Sequence, residues 1–186
     1  MKRSSLKKWE VLDRRNVLDA SPWIEVDMER IKLPDGRVVE NYYQIRLMSY
    51  VIMAVFTTQR RLLMLRQYRH GDRRIGLALP GGLINTGESP LRTAQRELLE
   101  ETGYVARRWK ALGNFVPNSN YGCGRAFLFT ASEARQVAEP CSGDLEEMEI
   151  LPMPLKDVRL ALRRGEIMSL STAAALGLVL ARILKR

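Results

Sequence analysis

Histidine is almost missing from this chain, which carries His70 and no other in 186 residues. Cysteine is nearly as scarce, with only Cys123 and Cys141. Their spacing suits neither a metal site nor a disulfide framework, so idle thiols in a reducing compartment are expected. Long apolar runs are lacking as well. The longest, Ala173 to Ala181, is too short to span a bilayer and runs into Arg182. The N-terminal lysines are followed by no apolar stretch, so no signal peptide is expected. A cytoplasmic protein without a membrane partner follows. There is no internal repeat and no low-complexity segment. Aromatic residues make up 7% of the chain and never interleave with basic ones as a stacking platform for single strands would.

Basic residues are plentiful. Thirty Lys and Arg against 21 acids give a net charge of +9. They are scattered in pairs, such as Arg60 and Arg61, Arg73 and Arg74, Arg163 and Arg164. Scattered cations suit a surface that attracts phosphates, and specific nucleic-acid binding is not expected. A hydrophobic fraction of 46% is ordinary for a chain with a sizeable core, and the length suits one domain or one with a small appendage.

Residues 1–8 read as a flexible basic tail. Within 9–48, Trp9 to Leu18, Trp23 to Leu33 and Arg37 to Met48 alternate as strands, with a hairpin turn at Pro34-Asp35-Gly36. A three-stranded sheet buries little alone, so a second protomer is expected to cover it. Within 49–186, Tyr50 to Thr57 and Arg61 to Tyr68 read as a buried hairpin and Ile75 to Leu79 as a short strand. Further strands are expected over Val105 to Phe115, Arg125 to Thr130 and Glu147 to Leu151, with a flexible loop over Pro117 to Gly124. Helices are expected over Leu155 to Arg164, ended by Gly165, and from a cap at Ser171 or Thr172 to about Leu184. The mixture without strict alternation predicts an α+β fold, or an α/β sandwich.

The chemistry concentrates in LPGGLINTGESPLRTAQRELLEETGYV, from Leu79 to Val105. Ser89 suits an N-cap, Pro90 the first helical position and Gly103 the left-handed residue past the end. At about 100° per residue, Glu97, Glu100 and Glu101 share an arc of about 100° on one face. Leu91, Ala94 and Leu98 form the neighbouring apolar stripe. Arg96, one turn before Glu100, partly neutralises it. Carboxylates this close raise one another's pKa unless a cation lies between them. A hard divalent ion, Mg²⁺ or Mn²⁺, resolves that conflict and also binds phosphates.

Gly82, five residues, Glu88, seven residues, then Arg96-Glu97-Leu98-Leu99-Glu100-Glu101-Thr102-Gly103 resembles an unbroken Nudix box. Arg66-Gln67-Tyr68-Arg69-His70, the LPGG entry, GEI at Gly165 to Ile167 and an alanine-rich last helix resemble the ADP-ribose pyrophosphatase branch. The resemblance implies an α/β/α sandwich of Nudix type over 49–186. It also implies that 9–48 is a dimerisation sheet exchanged within a homodimer. The implied activity is metal-dependent hydrolysis of the pyrophosphate bond of a nucleoside diphosphate sugar, with ADP-ribose yielding AMP and ribose 5-phosphate. Glu97, Glu100, Glu101 and the Gly81 carbonyl are the implied metal ligands. Arg69, Gly82 and Glu88 are implied at the substrate, with Trp23 or Trp9 as a weaker stacking candidate. Glu146 is the implied base, with Glu149 the runner-up, and His70 is assigned no catalytic role. Two departures stand out: Ala78 occupies a position where the branch commonly has glutamate, and PNSNYGCG is not the branch's usual loop. Alternatives are a Nudix hydrolase of GDP-sugars, dinucleoside polyphosphates or oxidised nucleotides, and a regulator that binds a nucleotide sugar without cleaving it.

Overall fold

The computed structural model describes residues 6–143 and 147–183. The chain divides into two compact units. One runs to Met48 and is completed by Val116–Arg125; the other comprises Ser49–Phe115 and the chain from Ala126 onward.

The first unit holds the antiparallel meander β1 (Glu10–Ala20), β2 (Ile24–Lys32) and β3 (Val38–Leu47). Its turn is the expected Pro34-Asp35-Gly36: Leu33 N–H donates to Arg37 O at 2.8 Å, and Gly36 takes φ 90°. Residues of one parity on β2 share a face, and Asp27, Glu29 and Ile31 are buried there. Buried carboxylates demand partners. Glu29 has Arg14 at 2.6 Å; Asp27 has Arg46 and an N–H from Asn16. The segment Val116–Arg125, expected to be a flexible loop, is instead tied to β3. Tyr42 Oη and Gln44 Nε2 donate to Asn120 O at 3.0 and 2.9 Å, and Cys123 N–H donates to Ile45 O at 2.9 Å. β1 is exposed along its whole length.

The second unit is a layered sandwich. Its sheet contains β4 (Tyr50–Thr57), β5 (Leu62–Arg69), β6 (Arg74–Ala78), β7 (Tyr104–Val105), β8 (Arg108–Phe115), β9 (Ala126–Gln136) and β10 (Met148–Met153). The path runs β10-β5-β4-β9-β7, with β6 on β5 and β8 on β9; β4 and β9 are parallel. The single strand expected over 105–115 is split, because Val105 pairs with Arg135, Arg108 with Ser132, and β9 bulges between at Glu133 (φ 59°).

Alternation along β4 feeds two cores. Val51, Met53 and Val55 pack with Leu63, Phe129 and with Ala94 and Leu98 of α1 (Pro90–Thr102). Ala54, with Tyr50 and Ile52 against it, packs with Val158 and Ala161 of α2 (Leu155–Arg163) and Ala175, Leu176 and Val179 of α3 (Leu170–Ile183). Each face buries its apolar half against a helix, which is what holds such layers together.

The expected β4–β5 hairpin meets in register only at Phe56 and Leu62. The strands then part, and the glycine segment after β6 bonds to the freed edge of β4. Met53 and Val51 N–H donate to Pro80 O and Gly82 O at 3.0 and 2.9 Å, and Ile84 N–H to Ser49 O at 2.9 Å. α3 is capped by Ser169, whose Oγ accepts from Thr172 N–H at 3.2 Å. The expected caps are used elsewhere: Ser171 Oγ bonds Tyr50 Oη at 3.1 Å, and Thr172 Oγ1 accepts from Leu79 N–H at 3.3 Å.

Candidate active site on the acidic helix

α1 forms as its sequence dictates. Ser89 is extended (φ −81°, ψ 148°) and its Oγ accepts from Arg92 N–H; Gly103 is left-handed (φ 71°) and donates to Leu99 O at 2.8 Å. Ala94 and Leu98 are fully buried, whereas Leu91, one turn earlier on the same stripe, stays 40% exposed.

The carboxylates are gathered by one cation. Arg96 Nε and Nη2 each reach Glu88 at 3.1 Å, a two-point fork. Nη1 donates to Glu97 and to Glu100 at 2.8 Å each, and Nη2 also donates to Leu83 O at 3.2 Å. Every N–H of the guanidinium therefore has an acceptor. Glu88, with Glu100 and Glu97, holds Arg96 above even its usual high pKa, against the opposing effect of burial. In return Arg96, helped by the Thr93 hydroxyl, holds the Glu88 carboxyl below the usual range.

Glu101 takes a different partner. It is 3% exposed, and its Oε2 accepts from Gly81 N–H at 2.8 Å. The carbonyls of Pro80 and Gly82 bond to β4, so in this extended segment the polar groups of Gly81 turn the other way, toward Glu101. The two glycines are needed for different reasons. A Cβ on Gly81 would overlap the Val51 carbonyl, and one on Gly82 would fall within the Glu97 carboxylate.

Gly81, Gly82 and Leu83 form one wall of a cleft of about 360 Å³, completed by Tyr50, Ile52, Arg69, Asp72, Met168, Ser169 and Ser171 among others. Arg69 at the end of β5 is held by Gln67: with its amide turned to satisfy both ends, the Gln67 oxygen accepts from Arg69 Nε and Nη2 at 3.2 and 2.9 Å. Asp72 is bound by Arg74 at 2.8 Å. This volume lies at the smaller end of the ~300–1,000 Å³ usual for ligand clefts.

The expected residues thus fall into groups. Gly81, Gly82, Glu88, Glu97, Glu100 and Glu101 come together on the helix and its entry loop. Arg69 shares the cleft with the glycines. Trp23 lies at the β1–β2 turn of the first unit, 67% exposed, and Trp9 packs edge-on against Tyr42 with ring centres 5.6 Å apart. Glu146 lies outside the described residues. Glu149 pairs with Arg66 at 3.4 Å and borders another hollow, with Tyr68 and Ile75. His70 meets Tyr68 Oη at 3.3 Å on the surface. Sequence reading missed Gln67 and the hydroxyls of Tyr50 and Ser171. The signal for Gln67 is its position two residues before Arg69 on a strand, hence on the same face.

The donor set is chemically suited to a hard divalent cation: carboxylates within one helical turn beside an outward-turned backbone segment. In the present arrangement Arg96 takes the charge-compensating place. Among the described residues no three acidic, histidine or cysteine side chains converge on one point that could hold an ion. Nor is any helix among them long and apolar enough to cross a membrane.

Comparison with known proteins bears on the family and the fold. The NUDIX domain matches residues 46–170. A CMP-5'-(N-acetyl-N-hydroxy-3-aminopropyl)phosphonate hydrolase of Streptomyces rubellomurinus is 32% identical over 88% of this chain and 79% of its own. An ADP-ribose pyrophosphatase of Bacillus subtilis is 27% identical over 82% of this chain and 83% of its own. The crystal structure of an ADP compounds hydrolase has the same fold, with a TM-score of 0.78 at 21% identity over 98% of this chain and 97% of that one. The chain belongs to the Nudix hydrolase family, alongside the ADP-ribose pyrophosphatases.

Proposed function

We propose that the protein hydrolyses the pyrophosphate bond of nucleoside diphosphate sugars, with ADP-ribose giving AMP and ribose 5-phosphate. The observation that carries the reading is the gathering of Glu88, Glu97, Glu100 and Glu101 beside a glycine loop whose cleft also holds Arg69. Glu97, Glu100 and Glu101, with the Gly81 carbonyl, would hold Mg²⁺ or Mn²⁺. Such an ion, when bound, neutralises a diphosphate and lowers the pKa of coordinated water.

The protein's own groups do the rest. Arg69 presents a planar fork to a phosphate and orients it. Gly81 and Gly82 let the β4 backbone and the Glu97 carboxylate close on the loop that walls the cleft. Glu146, the base that the resemblance implies, would orient and deprotonate the attacking water. Glu149, the runner-up, pairs with Arg66 at 3.4 Å. A second copy of the chain would cover the N-terminal sheet, where Val11, Leu18 and Trp23 are exposed. The working compartment would be the cytoplasm.

A second substrate class is favoured by the Streptomyces relative: a nucleotide joined to a non-sugar phosphonate. A hydrolysis panel with Mg²⁺, products assigned by phosphorus NMR, separates the classes. Turnover of ADP-ribose to AMP and ribose 5-phosphate is expected, with Glu97→Gln and Glu101→Gln inactive yet folded. Full activity in both variants, or tight binding of nucleotide sugars with no metal-dependent product, would overturn the proposal. Light scattering that finds a monomer would remove the second protomer from it.

A further inference from the structure

We infer that Gln67 is a positioning residue for substrate: it aims the Arg69 guanidinium at the phosphates and, being neutral, does so without cancelling its charge. This rests on the reading of Arg69 as a diphosphate contact. Gln67 sits on β5, the central strand of three, opposite Met148 of β10 on one side and Gly76 of β6 on the other. Its side chain is 2% exposed. Both ladders fix its backbone and the packing fixes its side chain, so the amide oxygen is a rigid mount. With the amide turned so that its oxygen faces Arg69, that oxygen takes Arg69 Nε and Nη2 together, at 3.2 and 2.9 Å.

Two contacts to one acceptor fix the direction in which the Nε–Nη2 edge of the guanidinium points. Gln67 and Arg69 lie on one face of β5, while Arg66 and Tyr68 lie on the other. The fork is therefore held on the side of the cleft that it shares with Gly81 and Gly82. A glutamate at 67 would give the same geometry with a charge-assisted bond, but would pair with the cation that a diphosphate needs. A leucine would fill the space and release the fork. The choice of an amide thus separates orientation from charge.

The test compares Gln67→Leu, Gln67→Glu and Arg69→Ala with wild type. Melting curves establish folding, and the near-isosteric Gln67→Glu serves if Gln67→Leu does not fold. ADP-ribose hydrolysis is followed with saturating Mg²⁺. Loss of a positioned, charge-assisted contact predicts a KM rise of about tenfold in Gln67→Leu, with kcat within about twofold. Gln67→Glu should raise KM similarly and flatten its dependence on salt, because the net positive charge facing substrate is gone. In the Arg69→Ala background Gln67→Leu should add nothing, since the effect runs through Arg69. Calorimetric binding of inorganic pyrophosphate reads the same series without turnover, so it stands even if ADP-ribose is the wrong substrate. Unchanged KM and pyrophosphate affinity in Gln67→Leu and Gln67→Glu would overturn the inference. So would an undiminished Gln67 effect without Arg69.

Discussion

Replacing Arg96 by methionine removes one cation and leaves three carboxylates without it. Methionine matches the aliphatic stem, so packing along the helix is retained and the loss is electrostatic. Arg96 is 28% exposed, and Glu88 and Glu97 are 17% and 15% exposed, so the network is neither bulk-screened nor fully buried. Hydrogen bonds to charged groups contribute about 1.5–3 kcal/mol each, and solvent screening lowers that where the pair is exposed. The bonds share one guanidinium and do not add, and Glu100 is more exposed than the others. A net loss of about 3 kcal/mol is expected. For a chain of this size that lowers Tm by about 6–12 °C.

Lysine at 96 keeps the charge but not the fork, and should recover about half of the loss. Thermal and urea unfolding at pH 7.5 measure the effect, with Mg²⁺ varied between arms. Added divalent cation should narrow the gap between Arg96→Met and wild type, because it compensates the same carboxylates. An Arg96→Met protein that melts within a degree or so of wild type without Mg²⁺ would refute the idea that one guanidinium makes this acidic turn tolerable.

Two further predictions follow from the same residues. Glu88 has a folded pKa below its reference value of 4.5, so its contribution to stability is complete above about pH 4.5 and is lost as pH falls through the lower folded value. Urea midpoints from pH 6 to pH 3 should therefore fall less steeply in Glu88→Gln than in wild type; parallel curves would remove Glu88 from the ion network. Gly82→Ala should fold but lose activity by about 10² or more, since its Cβ displaces the Glu97 carboxylate. Gly81→Ala should melt much lower, because its Cβ meets the β4 backbone; circular dichroism and turnover separate the two, and the reverse pattern would refute the assignment.

The helix and its acids were legible in the sequence because every signal there is local. Ser89, Pro90 and Gly103 fix the ends through their own backbone chemistry, and a period of 3.6 fixes which side chains share a face. The Pro34-Asp35-Gly36 turn was legible for the same reason. What failed was non-local. Alternation showed that Tyr50 to Thr57 is a strand, but it could not show that the partner of its edge is a glycine loop some thirty residues on. The loop Pro117 to Gly124 looked free because its polar residues promise hydrogen bonds without saying to what; the carbonyl of Asn120 finds β3. Ser169, Ser171 and Thr172 are all N-cap residue types within four positions, and only the packing of α3 on Tyr50 and Leu79 decides among the three.

The parting of β4 and β5 connects these observations. Had the hairpin stayed paired to its end, Pro80 to Gly82 would have no strand edge to join and Gly81 N–H would not face Glu101. The edge that β5 gives up is closed by a segment with little side chain, which is why two glycines stand where backbones approach and a carboxylate leans in. The same parting leaves Arg69 beside the glycines across a narrow cleft, on a strand still anchored on both sides by β6 and β10. Glu97, Glu100 and Glu101 stand on a helix and Arg69 on a strand, with Glu88 on the loop held by Arg96. Groups mounted on regular elements beside a cleft would meet an anionic ligand without the protein first having to order itself.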